Sequence, residues 1–334
     1  MAHFRKSKLT EQRLNWYKEY YISNPWEMRG HWRELMPQAR RVHLDLGCGK
    51  GVWTTRVAKE LPDDLFIGID YERMCVSFAV ERAAKETLPN IFFMHDSAHG
   101  IESLFLPGEI DVVHINFPTP FPRKKEALNR ITDSRRLMAY RTFLGEDGTF
   151  HVKTDSQPFF DWTLEQLELA GYQLKWVTRD LQRNARIANE THEINAPSEG
   201  NKTAAPGKFL FEKSSADFDN QSNGANHHEK PNGLSISSES SVEYELQIHG
   251  FAADTCDLTL SAYEEKFIPK GARIHALMAL PGPIPENWSP SEKVSLVDYL
   301  PSDLDSIEYV PHGMQSTVEN LRNRRRNEQQ RKGN

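Results

Sequence analysis

The chain is poor in cysteine, has no long apolar run and carries no net excess of positive charge, and each shortage excludes something. Of its 334 residues only Cys48, Cys75 and Cys256 are cysteines, an odd number without metal-like spacing. That excludes a disulfide framework and a zinc knuckle and points to a reducing compartment. The pair His227 and His228 has no partners at ligand spacing, so no metal is expected. No stretch approaches the roughly 20 apolar residues that a membrane span needs, and residues 1–9 are basic but lack the apolar centre of a signal peptide. A soluble cytoplasmic protein without membrane contact is expected. No internal repeat is present.

The formal net charge is -6, which would argue against a nucleic-acid partner if charge were spread evenly. It is not. Residues 1–41 hold nine Lys and Arg against four Glu, 120–144 hold seven against two acids, and 313–334 hold six against two. Residues 183–245 reverse the balance, with six against ten. Three basic runs offset by an acidic stretch point to an anionic partner, although any one run alone reads as a solvated face.

With 38% hydrophobic residues the chain can bury one core of ordinary domain size with residues left over. Its periodicity reads as strand 42–46, a helix through Trp53, Val57 and Leu61, strand 65–69 and a helix over 72–86. Strands 91–94 and 111–116, a helix over 134–144 and strand 149–153 follow. A helix with Phe160, Leu164 and Leu167 on one face leads to strand 172–177. Strands alternating with helices imply an α/β fold, a mostly parallel sheet covered on both faces, with ligands at the carboxyl ends of the strands. Residues 183–243 lose all periodicity in favour of Asn, Ser, Glu, Gly and His and read as a low-complexity, disordered insertion. Order is expected to resume around 244–250, with a short helix at 261–266 and a strand at 272–280. Residues 282–334 read as a peripheral tail with a basic end, and 1–41 as a basic N-terminal segment.

The turn Asp45-Leu46-Gly47-Cys48-Gly49-Lys50-Gly51 follows the first of these strands and runs into a helix. Its glycines let the backbone turn sharply and approach a ligand closely. Dinucleotide-binding turns use a related spacing, but here the third glycine comes two residues after the second, and Asp45 stands where it would repel a pyrophosphate. S-adenosyl-L-methionine, with a cationic sulfonium and amino group and no phosphate, fits better. Asp70, about twenty residues on at the end of the second strand, is placed to accept from ribose hydroxyls, as in NAD enzymes too. Asp96, after the third strand, is placed to accept from an adenine amino group. Either acid could instead cap the segment behind it.

After the fourth strand, Asn116-Phe117-Pro118-Thr119-Pro120-Phe121-Pro122-Arg123-Lys124-Lys125 alternates proline with other residues, which fixes the backbone and removes donors. A stiff loop with an aromatic ring and a run of cations suits a flat base and its phosphates, with Phe121 for stacking and Arg123, Lys124 and Lys125 for the backbone.

These pieces resemble the bacterial tRNA (guanine-N7-)-methyltransferases. The resemblance rests on the glycine turn, the 116–125 loop, the strand end Lys153-Thr154-Asp155 and the segment Ser261-Ala262-Tyr263-Glu264-Glu265-Lys266-Phe267. It covers 40–182 and 244–280, about half the chain. It implies a Rossmann-like class I methyltransferase with a seven-stranded, mostly parallel sheet, its domain formed by 42–182 and 244–281 with the insertion between the last two strands. It implies methylation of guanine N7 in the tRNA variable loop by S-adenosyl-L-methionine, with monomer and homodimer both open. Asp45, Gly47, Gly49, Asp70, Asp96 and Thr119 would line the cofactor site; Arg123, Asp155, Ser261 and Glu264 would contact the target nucleoside.

The chain departs from the family at the loop. Thr119 stands where the family has an aspartate assigned to the active site, Phe121 replaces a tryptophan, and roughly five extra residues precede Arg135. Thr119 is the candidate catalytic position. The change leaves open a different RNA or small-molecule substrate on the same fold, or a catalytically silent RNA-binding relative. An NAD(P) oxidoreductase is disfavoured by the glycine spacing and by Asp45.

Overall fold

The computed structural model of the chain describes residues 9–195 and 253–333. Its centre is one sheet, built from β1 (Tyr21–Ile22), β2 (Val42–Leu46), β3 (Leu65–Asp70), β4 (Ile91–His95), β5 (Ile110–Asn116), β6 (Leu144–Thr154), β7 (Tyr172–Thr178) and β8 (His275–Pro281). The order across the sheet is β1-β4-β3-β2-β5-β6-β8-β7. Every pairing from β1 to β6 is parallel, and β8 runs antiparallel between β6 and β7. This is the Rossmann-like class I methyltransferase architecture expected from the sequence, with eight strands rather than seven. The additional strand is the two-residue β1, which pairs only with β4 and carries no periodicity of its own.

The chain winds to one side after β2 and to the other side before β5, so the edge between these neighbours is the topological switch point where such sheets bind ligands. Helices α1 (Thr10–Trp16), α2 (Val52–Glu60), α3 (Arg73–Glu86), α4 (Ser134–Arg141) and α5 (Gln157–Leu169) cover the sheet. Alternation along β3 shows why both faces are apolar. Leu65, Ile67 and Ile69 enter one core with Leu44, Val113 and Phe143, while Phe66 enters the other with Val57, Val76, Ala79 and Phe93. Gly68 is required by packing, since a Cβ there would lie 2.4 Å from the Phe93 ring.

Three boundaries differ from the sequence reading. Residues 9–41 are part of the body: Leu14 is buried on the α3 side, and Trp32, fully buried, donates its indole N–H to Leu104 O at 2.8 Å. Several cations of this segment are also satisfied internally, Arg13 by Glu81, Arg33 by Asp111, and Arg40 and Arg41 by Asp64. The stretch 183–195, read as the start of the insertion, continues helix α6 (Leu181–Asn195), because the buried Leu181 and Asn184 anchor its first turn. Residues 196–243 and the ordered segment expected at 244–250 lie outside the described residues.

The third difference is the C-terminal stretch. Leu296, Met314 and Val318 are buried against Phe159 and Trp162 on the outer side of α5, so residues 294–318 pack on the body rather than forming a peripheral tail. The chain then ends in helix α9 (Gln315–Gly333), after α7 (Thr255–Leu258) and α8 (Ala262–Phe267) have preceded β8. Among the described residues, no helix is long and apolar enough to cross a membrane.

Candidate active site

The carboxyl ends of β2, β3, β4, β5 and β6 bring the sequence motifs to one edge of the sheet. After β2, the N–H groups of Gly47 and Cys48 both donate to Ile69 O, at 2.8 and 3.0 Å, which folds the turn back over β3. Gly47, Gly49 and Gly51 all adopt positive φ, +87°, +55° and +66°. They differ in what surrounds them. A Cβ on Gly47 or Gly49 would meet nothing within 4 Å, whereas one on Gly51 would lie 2.8 Å from Ala79 and Phe93. The first two glycines therefore border open space that a ligand can fill, and the third serves close packing of α2.

Asp45 is buried beneath this turn and accepts a 2.6 Å hydrogen bond from Thr54 Oγ1. Burial pushes its carboxyl up to about 7, with the Thr54 bond opposing and the neighbouring Asp70 adding to the rise. Asp70 staples the turn. Its two oxygens accept the N–H groups of Gly49 and Glu72, each at 2.8 Å, and each keeps a second lone pair. Burial raises the Asp70 pKa as well. Asp96 is half-buried after β4 and accepts from the Ser97 N–H at 2.7 Å. Three carboxylates thus line the edge beside the open glycines, an acceptor set suited to an ammonium group, ribose hydroxyls and an amino group.

The loop after β5 is held from both sides. Phe117 and Phe121 take positive φ, +53° and +47°, which non-glycine residues adopt only when their surroundings over-determine them. Phe117 stacks on Tyr263 at 4.6 Å, and the Phe267 ring lies 4.3 Å from Tyr263, tilted by 32°. Arg130 has no exposure; its guanidinium donates to Phe121 O and to Val294 O at 3.0 to 3.1 Å and lies over the Trp162 ring. Burial lowers its pKa to about 10. Part of the basic run 120–144 is therefore structural, as are Arg135, paired with Asp133, and Arg141, which donates to Ala170 O. Thr119, Arg123, Lys124 and Lys125 are exposed on the loop, and Arg123 pairs with Glu126.

The expected nucleoside contacts separate into two groups. Asp155, directly after β6, is 7% exposed and its Oδ2 accepts from the hydroxyls of Tyr263, 3.0 Å, and Tyr309, 2.7 Å. Ser261 and Glu264 form the capping box of α8: Ser261 Oγ accepts the Glu264 N–H at 3.1 Å, and Glu264 Oε2 accepts the Ser261 N–H at 2.7 Å. Glu264 is fully buried and both its oxygens face Lys153 Nζ, at 3.2 and 3.4 Å. The resemblance implies that Glu264 contacts the target nucleoside. In this geometry its oxygens hold Lys153 and the start of α8, while Asp155 holds the two tyrosine hydroxyls.

Lys153 is a functional candidate that the sequence reading passed over. Its ammonium also donates to Asp257 O and Thr259 O, at 3.1 and 3.2 Å, and its charge opposes the rise of the Asp45 pKa. One buried cation thereby joins the carboxylate under the glycine turn to the capping box of α8. Its alternation with buried Val152 and Phe150 in β6 was the available signal, since a lysine inside an apolar strand needs partners. Tyr309 had no comparable signal.

A row of buried histidines lies beneath the turn. His43 Nδ1 and His114 Nε2 are 2.9 Å apart, and the His114 ring lies 5.1 Å from that of His151, tilted by 45°; His151 bonds to Asp257 at 2.8 Å. Burial lowers the His43 and His114 pKa values; at His151 burial works the same way, but the Asp257 carboxylate overcomes it and the pKa rises. His43, His114 and Cys256 place ligand-type atoms within 4.8 Å of one another, but the facing ring nitrogens are joined by their own hydrogen bond.

A family model described as a putative methyltransferase matches residues 39–206. The chain is similar to the tRNA (guanine-N(7)-)-methyltransferase of Geobacillus thermodenitrificans strain NG80-2, 34% identical over 185 residues, which is 55% of this chain and 86% of that protein. It is similar to the tRNA (guanine-N(7)-)-methyltransferase of Streptococcus uberis, 33% identical over 53% of this chain and 84% of that one. The corresponding protein of Lachnoclostridium phytofermentans is 33% identical over 51% of this chain and 79% of its own length.

Proposed function

The chain belongs to the tRNA (guanine-N7-)-methyltransferase family, and from that membership we propose that it methylates N7 of a guanine in the variable loop of tRNA. The observation that carries the reading is the juxtaposition at the switch point of the open Gly47 and Gly49 turn, the acids Asp45, Asp70 and Asp96, and the clamped loop bearing Thr119. When bound, S-adenosyl-L-methionine supplies an electrophilic methyl group on a sulfonium sulfur; transfer breaks the S–CH3 bond, forms the N7–CH3 bond and leaves the positive charge on guanine.

Within this reading, ionised Asp45 accepts from the cofactor's ammonium group, Asp70 offers its remaining lone pairs to the ribose hydroxyls and Asp96 accepts from the adenine amino group. Asp155 and Ser261 face the target guanosine, and Arg123, Lys124 and Lys125 meet its phosphates. Guanine N7 has an in-plane lone pair and no proton to lose, so no general base is needed. Acceleration comes from holding the nitrogen in line with the methyl group. Thr119 borders both substrates but brings no charge to offset the positive charge that grows on the base. In this reading the protein works on tRNA in the cytoplasm, with monomer and homodimer both open.

The test is incubation of the purified protein with labelled S-adenosyl-L-methionine and tRNA lacking the modification, followed by reduction and chain cleavage at 7-methylguanosine. Cleavage in the variable loop is the expected result. Label transferred to another position or another RNA, or no transfer with cofactor binding intact, overturns the assignment.

A further inference from the structure

Helix α9 is anchored at its start and unsupported at its end. Val318 is buried, and the Arg322 guanidinium donates to Leu304 O and Ile307 O at 2.6 and 3.1 Å. Beyond that point every residue from 323 to 331 is exposed. At about 1.5 Å per residue this is roughly 13 Å of helix with no apolar face against the body. It carries Arg324, Arg325, Arg326 and Arg331 against Glu328. Cations near a helix C-terminus are favoured by the helix dipole, but that effect is confined to the last turn; Arg325 donates to Ser302 O at 2.6 Å, which leaves Arg324 and Arg326 without a role in the body.

The base of the helix is built into the substrate loop. Two residues before α9, Gly313 lies so close to Pro120 that a Cβ would stand 3.0 Å from its ring. Leu296 N–H donates to Pro122 O at 2.9 Å, and Tyr309 donates to Asp155. This whole stretch follows the family match, which ends at 206. A polyanion seated at the loop and long enough to leave it therefore meets the arginine arm next.

We propose that the exposed end of α9 is a second RNA contact, gripping the sugar-phosphate backbone of the tRNA away from the methylated nucleotide. The proposal rests on the reading of tRNA as substrate. RNA is favoured over an acidic protein because the arm grows out of the loop that takes the nucleic acid, and arginine forks suit phosphate. Arg324 and Arg331 are seven residues apart and share one face, and Arg326 is engaged only by Asn323 of its own helix.

The test is the triple variant Arg324→Gln, Arg326→Gln and Arg331→Gln, which leaves the carbonyl contacts of Arg322 and Arg325 in place. Binding of unmodified tRNA is titrated between about 50 and 200 mM salt, beside turnover at saturating tRNA, S-adenosyl-L-methionine affinity and thermal unfolding. The expected result is about tenfold weaker tRNA binding at the lower salt and a salt slope smaller by about two to three, roughly one for each phosphate contact removed. Turnover, cofactor affinity and melting stay unchanged, and the matching Arg→Lys triple retains most of the binding. Wild-type affinity and salt slope in the glutamine variant overturn the proposal. If the wild-type chain binds tRNA without methylating it, the proposed function fails while the titration still decides the role of the arm.

Discussion

Asp155 Oδ2 receives the hydroxyl of Tyr309 at 2.7 Å across 154 positions of sequence, beside the hydroxyl of Tyr263 at 3.0 Å. The C-terminal stretch thereby completes the surroundings of a carboxylate proposed to face the substrate. Burial, with Asp155 adding to it, raises both phenol pKa values, so both tyrosines remain donors. Tyr309→Phe keeps the ring and removes one hydrogen bond, a loss of about 1 kcal/mol in stability. The expected outcome is a kcat/KM for tRNA lowered by about three- to tenfold, on the scale of a misplaced hydrogen-bonding group, with unchanged cofactor affinity. Wild-type kcat/KM would show that the contact only fastens the chain.

Asp45 predicts a pH dependence. Its carboxyl titrates at about 7 because burial disfavours the charge, so the charged acceptor for the cofactor's ammonium forms as pH rises through that value. S-adenosyl-L-methionine affinity, measured by calorimetry from pH 5.5 to 8.5, should strengthen over this range by up to about 2 kcal/mol, roughly 1.4 kcal/mol for each pH unit below the Asp45 pKa. Asp45→Asn should bind weakly with a much flatter profile. Stability of the ligand-free protein runs the other way. The folded carboxyl binds its proton more tightly than the unfolded one at 3.8, so its contribution is full below 3.8 and is lost as pH climbs through about 7. Equal profiles for the wild type and Asp45→Asn would remove Asp45 from the cofactor site.

What could be read from the sequence follows from the range of the interactions. The β2–α2–β3 unit, the glycine turn and the strand-end acids are signalled within about thirty residues, where periodicity switches cleanly between strand and helix. Strand β1 could not be read, since two residues have no period and only β4 makes them a strand. Helix α6 past 183 looked like the polar insertion because its buried anchors, Leu181 and Asn184, lie at its very start. The anchors Leu296, Met314 and Val318 are spaced irregularly among Pro and Ser, so nothing local announced that they cover α5. Of the site, individual residues were legible and their partners were not. Glu264 meets Lys153 across 111 positions, a pairing that no local pattern announces.

The Lys153–Glu264 pair is a buried charged contact, with side-chain exposures of 2% and 0%. Removing one partner leaves an uncompensated charge, which costs about 3 to 5 kcal/mol. Lys153→Met and Glu264→Gln are each expected to destabilise by that amount in urea unfolding. Glutamine retains an acceptor for the Ser261 N–H, so capping of α8 is spared. The double variant should recover a coupling energy above about 1 kcal/mol, and simple additivity within about 0.5 kcal/mol would show that the two charges do not act as a unit.

Thr119 offers the most direct test of the loop. It sits exposed between Pro118 and Pro120, on a segment whose ends are fixed by Phe117 against Tyr263 and by Arg130 on Phe121 O. A carboxylate introduced there enters a backbone already held in place, facing a base that becomes cationic as the methyl group arrives. Preorganised electrostatic groups of this kind are worth about 10²- to 10³-fold in rate, and an engineered one on a foreign loop should recover part of that. Thr119→Asp is therefore expected to raise single-turnover methylation by about tenfold, below that ceiling, without tightening S-adenosyl-L-methionine binding, because its effect is confined to charge that develops in the transition state. If the rate is unchanged or falls while the cofactor still binds, the loop has been rebuilt around the threonine, and charge compensation comes from elsewhere on this edge of the sheet.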